Sequence, residues 1–102
     1  LNDFVKEAYQ QGVFPFDRDM LTTVELFDFL KQEKRMKVTR EREIANALEL
    51  IGGRKKTGCP VEGVGKKVTI WIIRDYENYK HLTANDLGRK YQGFYTDARN
   101  KK

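Results

Sequence analysis

Three observations predict an α+β fold. Residues 39–53 (Thr-Arg-Glu-Arg-Glu-Ile-Ala-Asn-Ala-Leu-Glu-Leu-Ile-Gly-Gly) place Ile44, Ala47, Leu48 and Ile51 at helical spacing and end on two glycines. Residues 66–74 (Lys-Lys-Val-Thr-Ile-Trp-Ile-Ile-Arg) are rich in β-branched side chains and read as the best strand in the chain. Between them lie a basic triplet, Arg54-Lys55-Lys56, and a loop holding Gly58, Gly63 and Gly65. Helix, strand, glycine-rich loop, strand is the second half of a winged helix-turn-helix. The full expectation is three N-terminal helices, a β-hairpin wing and a C-terminal helix.

A length of 102 residues fits one domain, divided here into a leading helix and linker (1–20), helix-turn-helix and wing (21–74), and C-terminal helix with a basic tail (75–102). At 39% hydrophobic and 34% charged, the chain can bury a modest core and does not read as disordered. No apolar run approaches the ~20 residues of a membrane span, so no membrane partner is expected. The chain opens on Leu1 and reads as helix at once, which points to a piece of a longer protein. A single cysteine, Cys59, suits a reducing, cytoplasmic setting.

In chain order, Leu1, Phe4, Val5, Ala8 and Tyr9 predict an amphipathic helix stopped at Gly12. Pro15 predicts an extended linker through residues 13–16. Asp17 and Asp19 stand as a carboxylate pair without a third acid and read as loop. Thr22 and Glu25 match a capping box, starting a helix from about Thr23 to Glu33 whose Val24, Leu26, Phe27, Phe29 and Leu30 are core. Residues 34–37 read as a basic connector, Val38 as a hydrophobic staple and Thr39 as the next helix cap. Arg54, Lys55 and Lys56 form a short strand, and residues 57–65 a loop. In the strand that follows, Val68, Ile70 and Ile72 point one way and Thr69, Trp71 and Ile73 the other, which predicts either cover on both sides or partial pairing with something else. Mid-strand Trp71 reads as core more readily than as a base-stacking platform. Residues 75–81 read as a turn or short helical piece. Thr83 caps a last helix docked through Leu87, Tyr91 and Phe94 or Tyr95, before a fraying tail from Gly93.

The net charge of +5 is uneven: −4 over residues 1–33, +6 over 34–80 and +3 over 81–102. That distribution suits one face built for an anion. In a helix-turn-helix the second helix of the pair enters the major groove. Arg42 and Asn46 are therefore candidates for base edges, and Arg40 for phosphate. Glu49 shares their face and repels a phosphate backbone. A solvated face of interleaved Arg and Glu accounts for these residues equally well. Arg54, Lys55, Lys56, Lys66 and Lys67 on the wing would neutralise phosphates without reading sequence. Residues 63–69 look superficially like a phosphate loop, but Pro60 stands where its first glycine belongs, Lys67 where its hydroxyl belongs, and a strand where its helix belongs. With one histidine, His81, and one cysteine, no catalytic group, metal site or cofactor is expected.

The leucine-rich Leu26-Phe27-Asp28-Phe29-Leu30, the helix end Leu48-Glu49-Leu50-Ile51-Gly52, the basic Arg54-Lys55-Lys56, the strand end Trp71-Ile72-Ile73-Arg74 and the last helix Leu87-Gly88-Arg89-Lys90-Tyr91 are similar to the C-terminal winged-helix region of phage and plasmid replication proteins. These join a primase or primase-polymerase to a superfamily 3 helicase. The resemblance covers about residues 21–91. It implies a non-catalytic DNA-binding accessory domain of a phage-type replication enzyme, with polymerase and ATPase residues upstream in the same chain and those upstream domains as partners. Single- and double-stranded DNA remain alternative ligands. The competing expectation is a protein-interaction module that positions the helicase or a neighbouring subunit.

Overall fold

In the computed structural model, residues 2–32 and 40–100 are described, with side chains through Thr96. The elements are α1 (Asn2–Gln11), β1 (Met20–Thr22), α2 (Thr23–Gln32), α3 (Glu41–Leu50), β2 (Arg54–Val61), β3 (Gly65–Ile72), α4 (Tyr76–Tyr79) and α5 (Ala84–Asn100). The fold is α+β, with one three-stranded antiparallel sheet in the order β1-β3-β2. Its element order is compatible with the expected winged helix. The expected connector at 34–37, Val38 staple and Thr39 cap lie outside the described residues, as do Leu1 and the last two residues of the tail.

β3 is the centre of the sheet and is covered on both sides, as its apolar alternation predicts. On one side Leu21, Trp71 and Ile73 join Val5, Ala8, Leu26, Leu30, Ile44, Ala47 and Leu48 in a core roofed by α1, α2 and α3. On the other, Met20, Cys59, Val61, Val68, Ile70 and Ile72 pack under Leu87 and Tyr91 of α5. Trp71 is buried and donates its indole N–H to Thr23 Oγ1 at 2.9 Å, so it is core rather than a base platform.

Several expectations need correction. β1 is a strand that the sequence does not announce: its three residues are all buried and offer no alternation to read. The 13–16 segment is not an extended linker. It turns, with a Phe16 N–H to Val13 O bond of 2.7 Å and a cis Phe14–Pro15 peptide, and buries Phe16. β2 runs to Val61 instead of stopping at Lys56. A register shift between Lys56 and Cys59 and Gly58 at φ +72° carry the strand through what reads as loop. The tail is not frayed from Gly93, because α5 continues to Asn100.

The capping box forms by half. The Glu25 N–H donates to Thr22 Oγ1 at 3.1 Å, but the Glu25 carboxylate turns away to Arg18 at 2.5 Å and to the Tyr91 hydroxyl at 2.8 Å. With that proton committed to Glu25, the Thr22 hydroxyl donates to Tyr91 Oη across 3.2 Å. Burial, and then the Glu25 charge, push the Tyr91 phenol upward from the usual tyrosine range. At the far end of the sheet the Tyr79 hydroxyl donates to Asp19 at 2.6 Å, and that bond pushes Tyr79 up to about 12.

Arg74 closes the sheet's lower end. Its guanidinium donates to the carbonyls of Phe16, Arg18 (3.1 Å) and Tyr9 (2.6 Å) and lies 4.4 Å over the Tyr9 ring. Tyr9 in turn donates its hydroxyl to Ile73 O at 2.9 Å.

Two glycines of α5 have opposite surroundings. A Cβ on Gly88 would lie 2.2 Å from Pro60 O, whereas one on Gly93 meets nothing within 4 Å. Gly88→Ala therefore destabilises by about 1–3 kcal/mol through overpacking, in spite of its better helix propensity. Gly93→Ala stabilises by roughly 0.5–1 kcal/mol. Paired urea denaturations test this, and a Gly88→Ala variant as stable as the parent contradicts the close packing of α5 on β2.

The raised phenols also set a sign for alkaline stability. The unfolded chain gives up these protons near pH ~10, before the folded chain does. Their stabilisation is thus complete below about pH 10 and is lost as the pH rises through the folded values. Tyr91→Phe should cost stability at pH 7 and make the fall between about pH 9 and 11.5 shallower than in the parent. Denaturation midpoints across that range give the comparison.

Candidate nucleic-acid interface

α3 presents its apolar face to the core and its polar face to solvent, as its period requires. Ile44, Ala47 and Leu48 are buried, while Arg42 and Glu49 are exposed and Asn46 lies between them on the same outer face. Arg40 is the exposed N-cap residue and makes no side-chain cap bond. Glu41 and Glu43, also exposed, occupy the first turn, where carboxylates complement the helix dipole. The solvent face of α3 thus carries Glu41, Glu43 and Glu49 against Arg42, with Arg40 at its start. Leu50, 70% exposed, extends that face.

The five wing cations are all exposed. Among the described residues none is ion-paired to an acid: the ion pairs are Arg18–Glu25, Lys80–Glu77 and Arg89–Asp86. The sheet register divides them. Arg54 pairs with Ile72 and Lys56 with Ile70, on the face covered by α5, whereas Lys55 pairs with Trp71, on the face of the three leading helices. By alternation along β3, Lys66 shares the face of Val68, and Lys67 that of Trp71. Arg54 is stationed 5.2 Å over the Tyr76 ring. The hairpin is therefore basic on both sides, and the expected cluster is two groups rather than one.

β2, the hairpin turn and α5 border an open cleft of about 620 Å³ lined by Lys66, Arg89, Asn85, Gln92, Glu62 and the glycines Gly63, Gly65 and Gly88 among others. Asn85, Gly88, Arg89 and Gln92 follow one helical stripe, i, i+3, i+4 and i+7. Sequence reasoning misses Asn85, Arg89 and Gln92. The stripe is legible, but its facing Lys66 requires the packing of α5 on β2, which sequence alone does not supply. Cys59 lies beneath, fully buried, its thiol pushed upward by burial despite the Lys56 charge.

A second cleft, about 450 Å³, lies between α2 and α5 and is bordered by Phe14, Val24, Glu25, Asp28, Phe29, Tyr91 and Tyr95. Phe14 and Val24 are among the exposed large apolar residues. No helix among the described residues is long and apolar enough to cross a membrane. Compared with known proteins, the chain matches no family model, no curated protein and no solved structure.

Proposed function

We propose that this chain is a non-catalytic nucleic-acid-binding domain of winged-helix architecture that binds DNA mainly through phosphate. The single observation that carries the reading is the wing: five exposed cations, Arg54, Lys55, Lys56, Lys66 and Lys67, on one two-stranded hairpin without acidic partners among the described residues. Crowding like charge is unfavourable unless an anion shields it. The helix pair α2–α3 followed by an antiparallel hairpin supports the winged-helix assignment. The acid-rich outer face of α3 favours backbone contact over base reading by Arg42 and Asn46. The resemblance in residues 21–91 supports a place as an accessory domain of a phage-type replication enzyme, beside primase-polymerase or helicase domains of the same chain and in the cytoplasm.

A second reading, a protein-docking module, draws on the cleft between α2 and α5, where exposed Phe14 and Val24 stand beside Asp28. An apolar surface rimmed by acid suits a basic partner segment.

Replacing Lys55, Lys56, Lys66 and Lys67 with Ala should leave the circular dichroism spectrum and urea midpoint nearly unchanged. Affinity for labelled DNA should fall at low salt. In anisotropy titrations the slope of log K against log[salt] should shrink by about 0.7–0.9 for each phosphate that the variant no longer neutralises. Affinity and slope equal to the parent's would refute phosphate binding by the wing and leave the docking reading.

A further inference from the structure

We infer that the cleft between the hairpin turn and α5 holds the sugar–phosphate backbone of a single nucleic-acid strand, with Lys66 and Arg89 on its phosphates and Asn85 and Gln92 hydrogen-bonding beside them. This rests on the nucleic-acid reading above and makes it specific to one face of the wing. Three of the five wing cations, Arg54, Lys56 and Lys66, lie on the α5 side of the hairpin by register. The α5 stripe adds Arg89 and two side-chain amides to the same cleft, so cations come from both walls.

Glycine at 63 and 65 leaves the hairpin wall without side chains at those positions, which lets a strand approach the backbone closely. Gly63 sits at φ +83°, a conformation that glycine accepts without strain. The position of α5 is fixed by its contact with β2 at Gly88 and Pro60. Among the described residues Arg89 is committed only to a 3.7 Å surface pair with Asp86, worth little in water and readily exchanged for a phosphate. The Gln92 amide makes one long bond, 3.4 Å, to Thr96. Among the described residues Glu62 is the one carboxylate lining the cleft, whereas the outer face of α3 carries Glu41, Glu43 and Glu49. A groove of this size suits a flexible strand, whereas a rigid duplex would meet the hairpin's other cations, Lys55 and Lys67, or the acidic outer face of α3.

The test is anisotropy with a labelled oligothymidylate of about 12 nucleotides and a labelled duplex of about 12 base pairs, at low salt and across a salt series. Arg89→Glu should weaken oligothymidylate binding by about tenfold or more and duplex binding by less than about twofold. Arg89→Ala should reduce the single-strand salt slope by about 0.7, as expected for one phosphate fewer neutralised, and Arg89→Lys should restore most of it. The double variant Asn85→Ala, Gln92→Ala should lower single-strand affinity with the slope unchanged. Wild-type affinity in Arg89→Glu, alongside abolished binding in the four-lysine variant, overturns the cleft and leaves the wing reading standing. Tighter binding of the duplex that is abolished by Arg42→Glu also overturns it. No binding of either probe by the parent chain overturns both.

Discussion

The structure depends on one strand being buried on both faces. β3 supplies Trp71 and, just beyond it, Ile73 to one core and Val68, Ile70 and Ile72 to the other. The three leading helices and α5 bury their apolar faces on opposite sides of the sheet that this strand centres. A central strand apolar on both faces, left uncovered, would expose a contiguous apolar sheet surface on each side. The chain answers with helices before the hairpin on one side and a helix after it on the other. The same strand is exposed at its start, Gly65-Lys66-Lys67, and buried from Val68 onward apart from half-buried Thr69. Fold and candidate function are thus divided along a single element: the buried half anchors the hairpin, and the exposed half carries charge out of the core.

Two arginines serve structure rather than ligand. Arg74 gathers three carbonyls from the end of α1 and the turn after it, which a lysine could not reach with one fork of fixed geometry. Arg18 is buried against Glu25 and between the Phe14 and Tyr91 rings, at 5.3 and 6.0 Å. Through Glu25 and Tyr91 this pair connects the start of α2 to α5 on the opposite side of the sheet, so the two cores are coupled by polar contacts as well as by β3. Counting basic residues without burial would place both arginines on the charged surface.

Much of this is legible in the sequence because it is periodic. The helix faces other than Val24, expected in the core and found exposed, the Thr83 cap with its 3.2 Å bond to the Asp86 N–H, and the two-sided cover of β3 follow from spacing. What escapes is non-local. β1 exists because Met20, Leu21 and Thr22 find Ile72, Trp71 and Ile70, far along the chain. Glu25 leaves its capping position because a buried arginine and a tyrosine offer stronger partners. Gly93 resembles a stop in sequence, yet it sits exposed in a helix whose preceding turns, at Leu87 and Tyr91, are locked to the sheet. All eight candidate site residues are exposed, as suits an interface, but the division of the wing cations between two faces comes from the register.

That division bears on what the family resemblance can support. Its motifs are carried largely by Leu26, Leu30, Leu48, Trp71, Leu87 and Tyr91, and every one of these is buried. Buried residues specify packing, so the likeness is chiefly one of architecture. Binding must be argued from residues outside the core: Arg54, Lys55, Lys56, Lys66, Lys67 and Arg89 against Glu41, Glu43, Glu49 and Glu62. On α3 the carboxylates outnumber the exposed cation within the helix, and around the hairpin the cations prevail. Since phosphate attraction follows the local sum of charge rather than the identity of the helix that a fold conventionally presents, the proposed function puts its phosphate contacts on the hairpin and its α5 side and leaves α3 as an acidic flank.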